Sequence, residues 1–111
     1  MGSAFQLGEF EQIVLLAILR LKDGAYGASI GAEVAACTDR EPASGALYTT
    51  LDRLEDKGFV ASHYGDPTPQ RGGRPKRYFQ LTAPGLDAIT RAQRAYQRLL
   101  RGVTLPKVSH A

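Results

Sequence analysis

Arg71, Arg74, Lys76 and Arg77 stand within seven residues of one another and flank the pair Gly72-Gly73. Guanidinium and ammonium groups at that density suit the binding of closely spaced anionic oxygens, such as those of phosphates. A glycine-hinged loop lets such groups follow a phosphate backbone or enter a narrow minor groove. The same loop could be only a solvated surface feature, and charge by itself does not separate the two readings. Gly72-Gly73 is not a nucleotide-phosphate loop, because no Gly-Lys-Ser/Thr run follows it ahead of a helix.

Hydroxyl groups form the second cluster. Ser44, Tyr48 and Thr49 share a run with Gly45, and Arg53 follows one turn later. With Leu47, Leu51 and Leu54 turned inward at helical spacing, Ser44, Gly45, Tyr48, Thr49, Asp52 and Arg53 take the outer side. Such side chains can hydrogen-bond phosphates or base edges, and small residues at the start allow close approach. The plainer alternatives are that Ser44 caps the helix and that the Tyr48 ring packs against the neighbouring hairpin.

Catalytic chemistry has no comparable support. His63 and His110 lack a nucleophile or metal-ligand neighbour at a recognisable spacing, so no enzyme, metal site or cofactor is expected. The single cysteine, Cys37, excludes an intramolecular disulfide and any multi-cysteine zinc site, and reads as a small buried hydrophobe.

The elements that must position these residues follow from periodicity. Leu7–Leu21 carries Phe10, Ile13, Val14, Ala17, Ile18 and Leu21 at helical spacing. Leu15, Leu16 and Leu19 widen its apolar surface enough to predict cover from two sides, a core and a second subunit. Asp23-Gly24 stops this helix, and Tyr26-Gly27 leads into a second one over about 28–36. A third runs over about 43–57, with Gly58 as its stop. Two strands, 59–64 and 74–81, enclose the turn-rich 65–73 and predict a hairpin. Thr82 caps a last helix entered at Pro84 and running to about Arg101. Its Leu86, Ile89, Ala92, Tyr96, Leu99 and Val103 approach a heptad seam, which predicts pairing with a second chain. Arg91, Arg94, Arg98 and Arg101 form another face, read as solvated or paired with acids of the first helix.

Helix, helix, helix, hairpin, helix is the order of a winged helix-turn-helix followed by a dimerisation helix. The fold class is mainly α with a small β-hairpin. The DNA-binding domain covers 1–82 with its wing at about 59–81, the dimerisation helix 83–102 and a flexible tail 103–111. In such a motif the second helix of the pair enters the major groove by its N-terminal residues.

Charge distribution agrees with this arrangement. Net charge is only +3, but residues 1–65 hold five Lys/Arg against nine Asp/Glu, whereas 66–111 hold nine against two. A basic second half fits a polyanionic partner. At 111 residues, 43% hydrophobic and 23% charged, one ordinary globular domain is expected. No signal peptide is evident and the apolar run 13–19 is too short to span a bilayer, so a cytoplasmic location without membrane contact is expected.

These residues together support a resemblance. Leu16-Ala17-Ile18-Leu19, Tyr26-Gly27, the run GALYTTLDRLEDKGFV from Gly45 to Val60 and the run GRPKRYFQLTAPG from Gly73 to Gly85 occur in the order and spacing of one family. From about residue 8 to 102 the chain resembles the PadR family of bacterial transcriptional regulators, in particular its short members with one C-terminal helix. The resemblance implies a homodimer formed by the first and last helices, with Phe10, Leu15, Leu86, Ile89, Tyr96, Leu99 and Val103 at the interface. It implies repression through a palindromic operator in double-stranded DNA. By the same similarity Tyr26, Tyr48 and the start of the third helix approach DNA, and Arg71, Arg74, Lys76 and Arg77 belong to the wing. Many members release DNA on binding a small hydrophobic or aromatic effector. The chain departs from the pattern in having no Trp and in carrying Thr49 where a proline is common. A rival reading is a winged-helix protein-interaction module without DNA binding, which has no need of four cations in its wing.

Overall fold

The computed structural model describes residues 7–65 and 75–108, so Arg71, Gly72, Gly73 and Arg74 of the expected basic loop, and His110, lie outside the described residues. Four α-helices, one 3-10 turn and two strands follow in the order α1 (Glu9–Leu21), the turn Lys22–Gly24, α2 (Gly27–Cys37), α3 (Ser44–Asp56), β1 (Val60–Tyr64), β2 (Arg77–Leu81) and α4 (Ala83–Leu100). The order matches the one read from periodicity, and most boundaries move by three residues or fewer.

Helix α1 forms the centre. Val14, Leu15, Ala17 and Ile18 are buried, and α2 contributes Ile30 and Val34, α3 Leu47, Leu51 and Leu54, the hairpin Phe59, Val60 and Phe79, and α4 Ala88 and Ile89. Deep burial of these apolar groups supplies the main favourable term for folding. Thr50 joins the α3 core face, so that face is wider than the three leucines suggested.

Helix ends depart from expectation where backbone geometry, not residue type, decides. Lys22, with φ 54°, reverses the chain after α1, one residue ahead of Asp23-Gly24. Ala43 is the N-cap of α3 and no side chain caps that end, so Ser44 sits inside the first turn and leaves its hydroxyl free of the capping role. At α4 the expected cap is present: Thr82 Oγ1 accepts from Gly85 N at 3.1 Å. Gly58 has φ +80°, the left-handed conformation that closes α3 and turns the chain into β1.

The hairpin is antiparallel, with Val60 opposite Leu81, Ser62 opposite Phe79 and Tyr64 opposite Arg77. Gly65 N donates to Lys76 O at 2.8 Å and extends the ladder by one rung. Residues 25–26 attach to the other edge of β2: Phe79 N donates to Ala25 O at 2.8 Å and Tyr26 bridges Tyr78. The wing is thereby joined to the start of α2 as well as to the end of α3.

Three expectations are corrected by packing. Leu15 is fully buried and Ile89 is 2% exposed, both inside the protomer's own core, so neither has surface left to give to a second chain. Val103 lies beyond the end of α4, after a turn at Gly102 with φ +77°, and so is not on the helical seam. Cys37 is exposed, not buried: it ends α2, and its thiol lies 3.4 Å from Glu33 Oε2.

Candidate nucleic-acid interface

Helix α3 presents its first two turns outward. Ser44, Gly45, Tyr48, Thr49 and Arg53 are all exposed, while Leu47, Thr50, Leu51 and Leu54 anchor the opposite side. No acidic residue stands in the first turn, so the partial positive charge of the helix N-terminus is left open to an anion.

Tyr48 is set by α2. Its ring crosses Gly27, where a Cβ would come within 2.5 Å of the ring carbon Cζ and nearer still to the hydroxyl. The close approach of the two helices is possible because Gly27 has no side chain. Tyr48 thus packs against the start of α2, and 39% of it remains exposed.

At the base of the wing the aromatic rings form a ladder. The Tyr26 and Tyr78 rings meet edge-on at 5.6 Å, and His63 stacks on Tyr78 at 5.8 Å. The Lys76 ammonium stands 4.4 Å above the Tyr26 ring. Tyr26 is also the N-cap of α2, and its backbone N–H donates to Ser29 Oγ at 2.9 Å. Tyr26 therefore ties helix, wing and cation together, and Lys76 remains exposed.

Arg77 has a different fate from the one its sequence position suggests. Its Nη2 donates to Glu55 Oε1 at 2.5 Å, Nη1 to Asp52 Oδ1 at 3.3 Å and Nε to Ser62 Oγ at 3.2 Å. Its guanidinium also lies 4.8 Å from the Phe79 ring centre. Burial by itself pulls its pKa down, but the Glu55 and Asp52 carboxylates outweigh that and hold it above the ordinary arginine value. Arg77 thus spans wing and helix and is already paired in this structure. The acids it meets are three residues apart on one face of α3, a spacing visible in the sequence; that β2 would bring a cation to them was not.

The acids of α1 are engaged elsewhere than expected. Glu9 pairs with Arg40, and Glu11 receives the Lys57 ammonium at 2.8 and 3.0 Å. Arg91 pairs with Asp87 at 3.0 Å, one turn earlier on its own helix. Among the described residues no group of His, Cys, Asp and Glu could hold a metal ion, and no helix is long and apolar enough to cross a membrane.

Comparison with known proteins points to one family. The model of the Transcriptional regulator PadR-like family matches residues 15–91. A search of curated proteins finds no significant match. Among solved structures, a PadR family transcription regulator from Clostridium difficile is 26% identical with a TM-score of 0.68, the alignment covering 84% of this chain and 93% of that one. A PadR family regulator from Eggerthella lenta is also 26% identical, with a TM-score of 0.64 over 86% of this chain and 82% of the other. A complex structure of hsRosR-SG is 25% identical, with a TM-score of 0.69 over 87% and 79%. The family match spans well over half of the sequence, and its members are transcription regulators and not enzymes. The chain belongs to the PadR-like family of transcriptional regulators.

Proposed function

We propose that the protein is a repressor that binds a palindromic operator as a homodimer, with the first two turns of α3 in the major groove and the wing against the flanking phosphates. The observation that carries this reading is the exposed, acid-free start of α3, where Ser44, Gly45, Tyr48 and Thr49 stand clear of the core. Lys76 continues the surface on the wing side, and Arg53 on the helix side. Arg71 and Arg74 belong to the same wing by sequence.

Dimerisation is supported by what the protomer leaves uncovered. Helix α4 is about 27 Å long at the usual rise, yet its buried residues are Gly85, Ala88 and Ile89, all in its first two turns. Beyond them Tyr96 is 51% and Leu99 75% exposed. Leu16 and Leu19 of α1 are exposed too, and Leu86 and half-buried Phe10 complete the apolar surface. A second copy that covers these faces would also supply the other half-site.

An effector site has support in a cavity of about 490 Å³ between the end of α1, β2 and the start of α4, lined by Ile18, Leu19, Tyr78, Phe79 and Leu86. Its size, and a lining that also includes Lys22, Asp23, His63 and Gln80, suit a small aromatic molecule that carries polar groups. Such a ligand would press on both wing and dimerisation helix.

Footprinting on the DNA upstream of the protein's own gene tests the main reading. A protected palindrome whose affinity falls steeply with salt is expected. Absence of binding even at low salt would favour a protein-interaction module instead.

A further inference from the structure

We infer that Arg77 is a positioning residue for DNA binding, a clamp that sets the wing against the recognition helix through Glu55 and Asp52, and not itself a phosphate contact. The inference rests on the DNA-binding reading and deepens it. Arg77 lies on β2, Ser62 on β1, and Asp52 and Glu55 on α3, so one guanidinium joins all three elements. Ser62 Oγ also donates to Glu55 Oε2 at 2.9 Å, which closes the network on the helix side. With its side chain only 26% exposed, Arg77 has its donors turned to protein on three sides and its face on Phe79.

Electrostatics oppose any transfer of this arginine to DNA. Moving to a phosphate would abandon two carboxylates on the helix that enters the groove, and both would then repel the nucleic acid. Held in place, the same arginine neutralises both and fixes where Lys76, its chain neighbour, presents its ammonium. An arginine is required for this because its planar fork can serve two carboxylates and a hydroxyl at once, whereas a lysine offers a single point charge.

The variants Arg77→Lys, Arg77→Gln, Glu55→Gln and the double Arg77→Gln/Glu55→Gln separate the two roles. Affinity for mixed-sequence duplex DNA is measured against salt, below the melting temperature of every variant, together with amide hydrogen exchange of β1 and β2 in the DNA-free protein. The clamp predicts that Arg77→Lys and Glu55→Gln each weaken binding about tenfold and that the double variant is no weaker than Arg77→Gln. It also predicts faster exchange of the strand amides in each. A phosphate contact predicts the reverse sign at the acid, because Glu55→Gln removes a repelling charge and tightens binding, and it predicts that Arg77→Lys binds nearly as the parent does. Either of those results overturns the proposal, as does unchanged strand exchange. If the parent protein binds no duplex at low salt, the DNA reading fails by itself, and the exchange data still decide whether Arg77 holds the wing.

Discussion

Lys57 holds both oxygens of the Glu11 carboxylate, and Gly8 N donates to one of them at 2.8 Å, so the start of α1 is pinned to the end of α3. Burial by itself raises the Glu11 pKa, but the Lys57 and Gly8 hydrogen bonds outweigh it and leave the carboxyl below its ordinary value. A depressed carboxylate contributes stability that is present above its unfolded pKa, about 4.3, and lost as pH falls through the folded one. Lys57→Met should therefore cost about 2 kcal/mol at neutral pH and flatten the acid limb of the stability curve below about pH 4, as read by urea unfolding across pH. An unchanged acid limb would show that the pair is idle. Gly27 makes a second residue-scale case. Gly27→Ala would drive a methyl into the Tyr48 ring, whose hydroxyl end can swing away at small cost. The expected result is a stability change within about 1 kcal/mol and a loss of several-fold in DNA affinity, measured by titration. Neither contact was legible in the chain. Glu11 is one of two acids in the first turn of α1, and its partner stands 46 positions away.

At the scale of elements, the hairpin and its neighbours explain why the wing has a defined direction. Three attachments hold it: the Arg77 network on α3, the Ala25 and Tyr26 bridge on the α2 side, and the junction with α4. At that junction Thr82 N donates to Phe59 O at 3.0 Å, Thr82 Oγ1 to Gly58 O at 2.6 Å, and Gly85 packs flat on the Phe59 backbone. A Cβ at Gly85 would lie 2.8 Å from the Phe59 carbonyl carbon and closer still to its oxygen, and backbone cannot swing aside as a side chain can. Gly85→Ala is expected to cost about 1–3 kcal/mol by thermal unfolding, although alanine is the better helix former. A neutral result would mean that α4 can slide along the hairpin. The hairpin itself was legible from two strand patterns around a turn-rich segment. The bridge at 25–26 was not, because two residues carry no period and only the folded chain brings them beside β2.

Taken as a whole molecule, the protomer is packed around α1 at one end and bare along α4 at the other. The apolar seam of α4 divides in two. Ile89 fills the protomer's own core, so Ile89→Ala should destabilise the fold by about 2–4 kcal/mol and not act as an interface change. Tyr96 and Leu99 lie outside that core, and Leu99→Glu should leave the protomer folded, yield a monomer in light scattering and weaken operator binding at least tenfold. A Leu99→Glu protein that stays dimeric would place the interface elsewhere. What the sequence determined by itself was local and periodic: four helices, a hairpin, their order, the Thr82 cap, the Gly58 stop and the acid-free outer start of α3. Those features depend on spacings of two to four residues, which a chain displays without folding. Tertiary structure alone decided which apolar faces are already covered, as at Leu15 and Ile89, and which charges are already paired, as at Arg77 and Glu11. Periodicity states that a face is apolar or charged, but only the packing of distant segments determines what lies against it.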